Sequence, residues 1–236
     1  MKNTVVCTNC NTENPFYQHT CNKCSTYLRD RVYNVDLFKI LGLLIESPKK
    51  AFQLIVFSEH KNFIVFIILF ATVKLLINAR FLSMITLGSF RSTVGVGLSY
   101  LILLTAVFIL IFLSSVIFKK ISKSFEIENR SKDFFALLSY VQTPYALGVL
   151  VLFPFEIIIF GDYLFSLNPT PFVIKEVLAY LFLILEAFII LWSIFLGIKA
   201  FNVQTGNRTY SFSFAFVFNL SLGILLFFAS KIIFTI

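Results

Sequence analysis

Residues 134–155 run for twenty-two positions without a charge, yet they contain Gln142, Thr143, Pro144, Gly148 and Pro154. A helix of that length crosses the hydrocarbon core of a bilayer. Prolines and a glycine would break an ordinary soluble core helix. In a membrane, neighbouring helices and hydroxyl side chains re-satisfy the carbonyls that proline frees. The stretch is therefore read as the kinked third of five spans.

The rest of the chain agrees with a membrane setting. It is 58% hydrophobic with a mean hydropathy of +0.87, too apolar for a soluble domain. A net charge of +8 would point to nucleic acid if it formed a patch. Here the basic residues flank apolar runs, so they set orientation in a bilayer instead. The first ten residues carry one lysine and no apolar run, and no secretory signal is expected.

All four cysteines lie near the N-terminus as Cys7-x2-Cys10 and Cys21-x2-Cys24. Each pair lets two thiolates approach one metal from a tight knuckle, and two knuckles complete a tetrahedral zinc site. Four thiolates leave no open coordination position, so the zinc is structural. Asn11 follows the first knuckle and tolerates the left-handed backbone such turns need; Ser25 follows the second and fits less well. Two disulfides or a redox pair are the competing readings, set aside because a reducing compartment and the lack of any βαβ context disfavour them. His19 is read as a loop residue, not a ligand. So small a ribbon has no core, and metal must supply most of its folding free energy, roughly 10–16 kcal/mol in comparable peptides.

A polar linker at 26–31 leads to two short amphipathic helices. The first places Leu37, Phe38, Leu41, Leu44 and Ile45 at helical spacing; the second starts with Ser47 as N-cap and Pro48 at its first position, and carries Ala51, Phe52, Ile55 and Val56. They either lie in the membrane interface or cap the bundle.

Span one begins near Phe63, meets Lys74 and Arg80, and trails through 81–90. Span two, 94–118, is uncharged and about 37 Å long, so it tilts. A loop at 119–133 with five basic residues precedes span three, which runs to Phe160 with Glu156 near its end. Span four, 177–198, holds Glu186 near its middle, and span five covers 212–230. One side of the membrane receives the tail through Lys61, the five-charge loop, Lys199 and Arg208; the other receives Arg80, Arg91, Lys175 and Lys231. The positive-inside bias puts the N-terminus and ribbon in the cytoplasm and the C-terminus opposite. A prokaryotic cell membrane is the expected location.

A lone charge at mid-bilayer costs about 2.5–3.5 kcal/mol on insertion scales, so Lys74 and Glu186 are expected to be partners. Both fall at mid-depth in spans that run in opposite directions. Small and polar residues share their faces: Ser193 and Gly197 with Glu186, Ala71 and Asn78 with Lys74. Arg80 and Glu156 form a candidate second pair. A static ion pair is favoured over a proton or ion relay. Ala215, Asn219 and Gly223 in span five read as a packing stripe. No catalytic motif is present: Glu59-His60 lacks a second histidine, and Gly161-Asp162 reads as a turn.

The run Ser47-Pro48-Lys49-Lys50-Ala51-Phe52, the Tyr140…Pro144 opening of span three, Trp192 with Gly197, and the five-span layout carry a resemblance. From about Asp36 to the C-terminus the chain resembles the Yip-one family of Ypt/Rab-interacting membrane proteins, whose prokaryotic-looking members often carry an N-terminal zinc ribbon. The resemblance implies an integral membrane adaptor that binds small GTPases and other membrane proteins. The family's Asp-Leu-Tyr-Gly-Pro segment has only Asp36-Leu37-Phe38 as a counterpart, so no site residue transfers.

The expected protein is thus an all-α integral membrane protein: a zinc ribbon at 1–28, linker and amphipathic helices at 29–61, and a five-helix transmembrane bundle at 62–236. Its partners are the lipid bilayer and a protein met through the cytosolic ribbon, with nucleic acid set aside and an oligomer left open. A non-enzymatic scaffold is the leading function, and a small transporter or channel using Lys74 and Glu186 the alternative.

Overall fold

The computed structural model describes residues 3–87 and 95–234. The tail of span one beyond Leu87, Arg91 and the expected start of span two lie outside the described residues. Among the described residues, four three-residue strands lie before the first long helix: β1 (Thr4–Val6) pairs antiparallel with β2 (Glu13–Pro15), and β3 (Val32–Asn34) pairs parallel with β4 (Ser58–His60). Two short helices, α1 (Leu37–Glu46) and α2 (Pro48–Phe57), lie between β3 and β4. The rest is helical: α3 (Ile64–Leu87), α4 (Val96–Ser124), α5 (Ser131–Val141), α6 (Thr143–Leu147), α7 (Phe153–Phe160), the single turn α8 (Pro171–Ile174), α9 (Glu176–Thr205) and α10 (Arg208–Ile233).

Five helical segments are long and apolar enough to cross a membrane: Ile64–Thr86, Val96–Ser124, Ser131–Phe165, Glu176–Thr205 and Arg208–Ile233. The chain is an all-α, multi-pass membrane protein. Along α9, Val177, Ile184 and Leu191 recur every seven residues and are all exposed, forming a lipid-facing stripe. Ile189, Ser193, Leu196 and Ala200 of the same helix are buried.

Span three is broken as its prolines require. After α5, Gln142 departs from the helix and Pro144 takes an early position in α6. A wider π turn, Gly148–Leu152, connects α6 to α7, whose early position is held by Pro154. A proline near a helix start loses no hydrogen bond, because that N–H has no intrahelical partner anyway. Pro144 thus costs no hydrogen bond at the start of α6, and the π turn just before Pro154 carries the helical path on into α7.

Contacts group the chain into two compact units that do not follow its order. The first takes Met1–Val65, Ile111–Val141 and Phe195–Val217; the second takes Phe66–Leu110, Gln142–Ile194 and Phe218–Ile236. In the first unit, α1 and α2 pack together and α2 packs on α5. α2 buries Ala51, Phe52, Ile55 and Val56 as its pattern requires. α1 differs from its expected single face: Ile40 and Leu44 are buried, whereas Phe38 is 83% exposed and Ile45 67%. Phe118, Phe134, Phe201 and Phe214 form an aromatic core, with Phe118 stacked 4.7 Å from Phe214 and edge-on to Phe201 at 5.2 Å. In the second unit, Phe160, Leu164, Ala179 and Phe182 pack together.

The stripe expected on α10 is only partly a packing face. Ala215 is fully buried, but a Cβ built on Gly223 would meet nothing within 4 Å. Each four-residue step turns a helix 40° past a full circle, so two steps carry Gly223 off the buried face.

Candidate metal centre and membrane-embedded charge cluster

The two cysteine knuckles have the same construction. Cys7 N–H donates to the Thr12 carbonyl at 3.0 Å and Asn11 N–H to the Cys7 carbonyl at 2.9 Å; Cys21 N–H donates to Thr26 at 2.9 Å and Ser25 N–H to Cys21 at 3.0 Å. Asn11 (φ 54°) and Ser25 (φ 57°) both take the left-handed conformation that closes such a turn. Serine therefore adopts the geometry that asparagine was expected to favour. Each knuckle also ends on a threonine two positions on: Cys10 Sγ lies 3.3 Å from Thr12 Oγ1, and Cys24 Sγ 3.3 Å from Thr26 Oγ1. The repeat Cys-x2-Cys-x-Thr is visible in the sequence and marks both threonines as supports of the site.

The four sulfurs all lie within 4.8 Å of one another, with Cys7–Cys24 and Cys10–Cys21 each at 3.5 Å. Sulfurs around one tetrahedral zinc lie about 3.8 Å apart, so the donor set is of the right kind and spacing for that ion. Hydrogen bonds from Thr26 pull the Cys24 thiol down to about 6. Backbone N–H groups of Cys24 and Lys23 also lower Cys21. At Cys7 the N–H groups of Cys10 and Asn9 act in the same direction, but burial and the neighbouring thiols outweigh them and push it up to about 11. A dication held by the four sulfurs would favour their thiolate forms. Asn14, fully buried, ties the knuckles together: its amide donates to the Thr12 carbonyl at 2.9 Å and faces Cys21 Sγ at 3.5 Å, while its carbonyl accepts from Asn22 N–H at 2.9 Å. His19 rests against the Tyr27 ring at 5.1 Å and is not among the clustered ligands.

The ribbon is seated on the helices of its own unit. Asn3 donates to the Val203 and Gln204 carbonyls, at 2.9 and 3.0 Å, in the last turn of α9, where carbonyls lack intrahelical partners. Phe16 packs 4.9 Å from Phe57, and Arg29 lies over the same ring at 3.7 Å. Burial, then the charge of Arg130, pull the Arg29 guanidinium down to about 10. Arg130 stacks over Tyr17 at 4.4 Å and holds Asp133 at 2.7 Å. Asp133 is fully buried and also meets Lys61 at 3.0 Å; Lys61 in turn donates to the Val56 and Ser58 carbonyls at the end of α2. Read as part of a charged loop, Asp133 and Arg130 gave no sign of this role. Asp133 lies in the first turn of α5 instead, and Arg130 immediately precedes that helix.

The second unit holds the embedded charges. Lys74 on α3 is completely buried and forms an ion pair with Glu186 on α9, as their matched depths require. Glu156 on α7 joins them: its Oε2 lies 3.6 Å from Lys74 Nζ and has no hydrogen-bond donor, although the residue is only 3% exposed. The site is therefore one ammonium between two carboxylates. The candidate pairing of Glu156 with Arg80 gives way to this arrangement, and Arg80 sets its guanidinium 4.2 Å over the Phe165 ring. Gly148 makes the close approach possible, since a Cβ there would sit 2.7 Å from Ile189 Cδ1 and 3.5 Å from Lys74 Cε.

Compared with family models, with curated proteins and with solved structures, the chain matches none. Its function is argued from these two sites alone.

Proposed function

We propose that the protein is a non-enzymatic integral membrane scaffold, with the ribbon and α1 as its cytosolic contact for a protein partner. The observation that carries this reading is the seating of the ribbon. It is held at Asn3, Phe16, Tyr17 and Arg29 on helices of its own unit, so its other residues form a fixed surface, not a tethered arm. On that unit Tyr27 is 73% exposed, and Tyr33, Phe38 and Ile45 are exposed as well. Rigid exposed aromatics are the side chains that anchor protein interfaces. Structural zinc and a Yip-like role in organising membrane proteins fit the same picture, and the bilayer is the second partner.

The direct test is photocrosslinking in native membranes with benzoylphenylalanine at Tyr27 or Phe38. A discrete protein adduct that disappears when Cys21→Ser removes the metal supports the scaffold; adducts with lipid alone overturn it. Orientation has its own measurement, motivated by the basic residues of the loops. Cysteines at the exposed positions Glu128 and Thr209 are expected to be shielded from an impermeant reagent outside the cell, and one at Asn168 to react. Labelling of Glu128 and Asn168 from the same side would remove span three from the topology.

The second reading, a transporter, is favoured by one observation: three ionisable groups share a buried site in the second unit, and such groups inside a membrane often move protons or ions.

A further inference from the structure

We propose that the second unit binds a monovalent lipophilic organic cation in the cavity beside Glu156 and Glu186. This goes beyond the scaffold reading and does not depend on it. The cavity has a volume of about 440 Å³, within the range of small-molecule sites. Phe81, Phe160, Phe172 and Phe182 supply much of its wall, and its only polar lining side chains among the described residues are Asn78, Glu156 and Glu186.

Charge identifies the occupant. Lys74 neutralises one carboxylate, through its ion pair with Glu186. The second, on Glu156, meets the same ammonium only at 3.6 Å, through an oxygen that has no hydrogen-bond donor, while the residue is 3% exposed. A carboxylate buried that way demands a cation or a proton. A hard metal ion is a poor match, because it needs six or more oxygen ligands or retained water, and this wall is hydrocarbon. An organic cation fits on both counts. Its charge offsets the carboxylate that a single ammonium leaves unmatched, and its apolar body lies on the phenylalanine faces, which also attract positive charge.

The test uses the full-length protein in nanodiscs and tetraphenylphosphonium as the probe, measured by calorimetry. Saturable binding is expected. Tetraphenylborate, an anion of the same shape, is expected not to bind. Glu156→Gln should weaken tetraphenylphosphonium at least tenfold, and Ala179→Trp, which fills the cavity without touching the charges, should do the same. Equal affinity for tetraphenylborate, undiminished binding by Glu156→Gln, or no saturable binding by the wild type would each overturn the proposal.

Discussion

Lys74→Met is expected to destabilise the protein by about 3–5 kcal/mol, because it leaves two carboxylates buried together with no cation. Nothing nearby compensates cheaply: Lys74 is completely buried, and Glu156 already has one oxygen without a donor. Glu156→Gln should behave in the opposite way. It removes the unmatched charge and keeps the shape, so stability is expected to stay level or rise. Melting temperature in detergent distinguishes the two, and equal destabilisation by both would mean that the cluster is not short of positive charge. Exchanging the pair, Lys74→Glu with Glu186→Lys, still leaves one cation between two carboxylates and should recover much of the loss. Additive destabilisation in the exchanged double would show that the residues are not partners. Proton flux in liposomes decides between functions: flux in the wild type that vanishes in the stable double favours the transporter over the scaffold.

The second large effect lies in the ribbon. Freshly reduced protein is expected to carry about one equivalent of zinc, and Cys21→Ser to lose it together with the ribbon's fold. Removing one sulfur of a buried tetrahedral set forfeits most of roughly 10–16 kcal/mol, far more than this small module's remaining contacts can replace. The spans should persist, since their burial does not depend on the metal. They should nevertheless melt earlier, because Asn3 releases the end of α9 and Phe16 leaves Phe57. Metal analysis, helical circular dichroism and tryptic cleavage near Lys23 and Arg29 report the three outcomes. Less than half an equivalent of zinc in the wild type would end the ribbon assignment.

Much of this arrangement was legible because it rests on local rules. Apolar runs of membrane length gave all five spans, and cysteine spacing gave the four sulfurs that cluster within reach of one ion. Lys74 and Glu186 were legible as partners because depth along a span is a matter of counting residues. Glu156 was not, because its direction depends on helical phase, and the π turn at Gly148–Leu152 resets that phase upstream of it. Lys61 and Asp133 were hidden for another reason: in a sequence they are charges to be tallied for orientation, and only packing shows one buried against the other. The seating of Asn3 on the end of α9 spans 200 residues of separation and left no local trace.

The π turn has one more consequence, for how the embedded site is aimed. Such a turn holds one residue more than regular helix over the same path, and each added residue rotates everything beyond it by about 100°. Removing one residue from Gly148–Leu152 would turn the position of Glu156 elsewhere around the helix, away from Lys74, and leave the lysine with Glu186 alone.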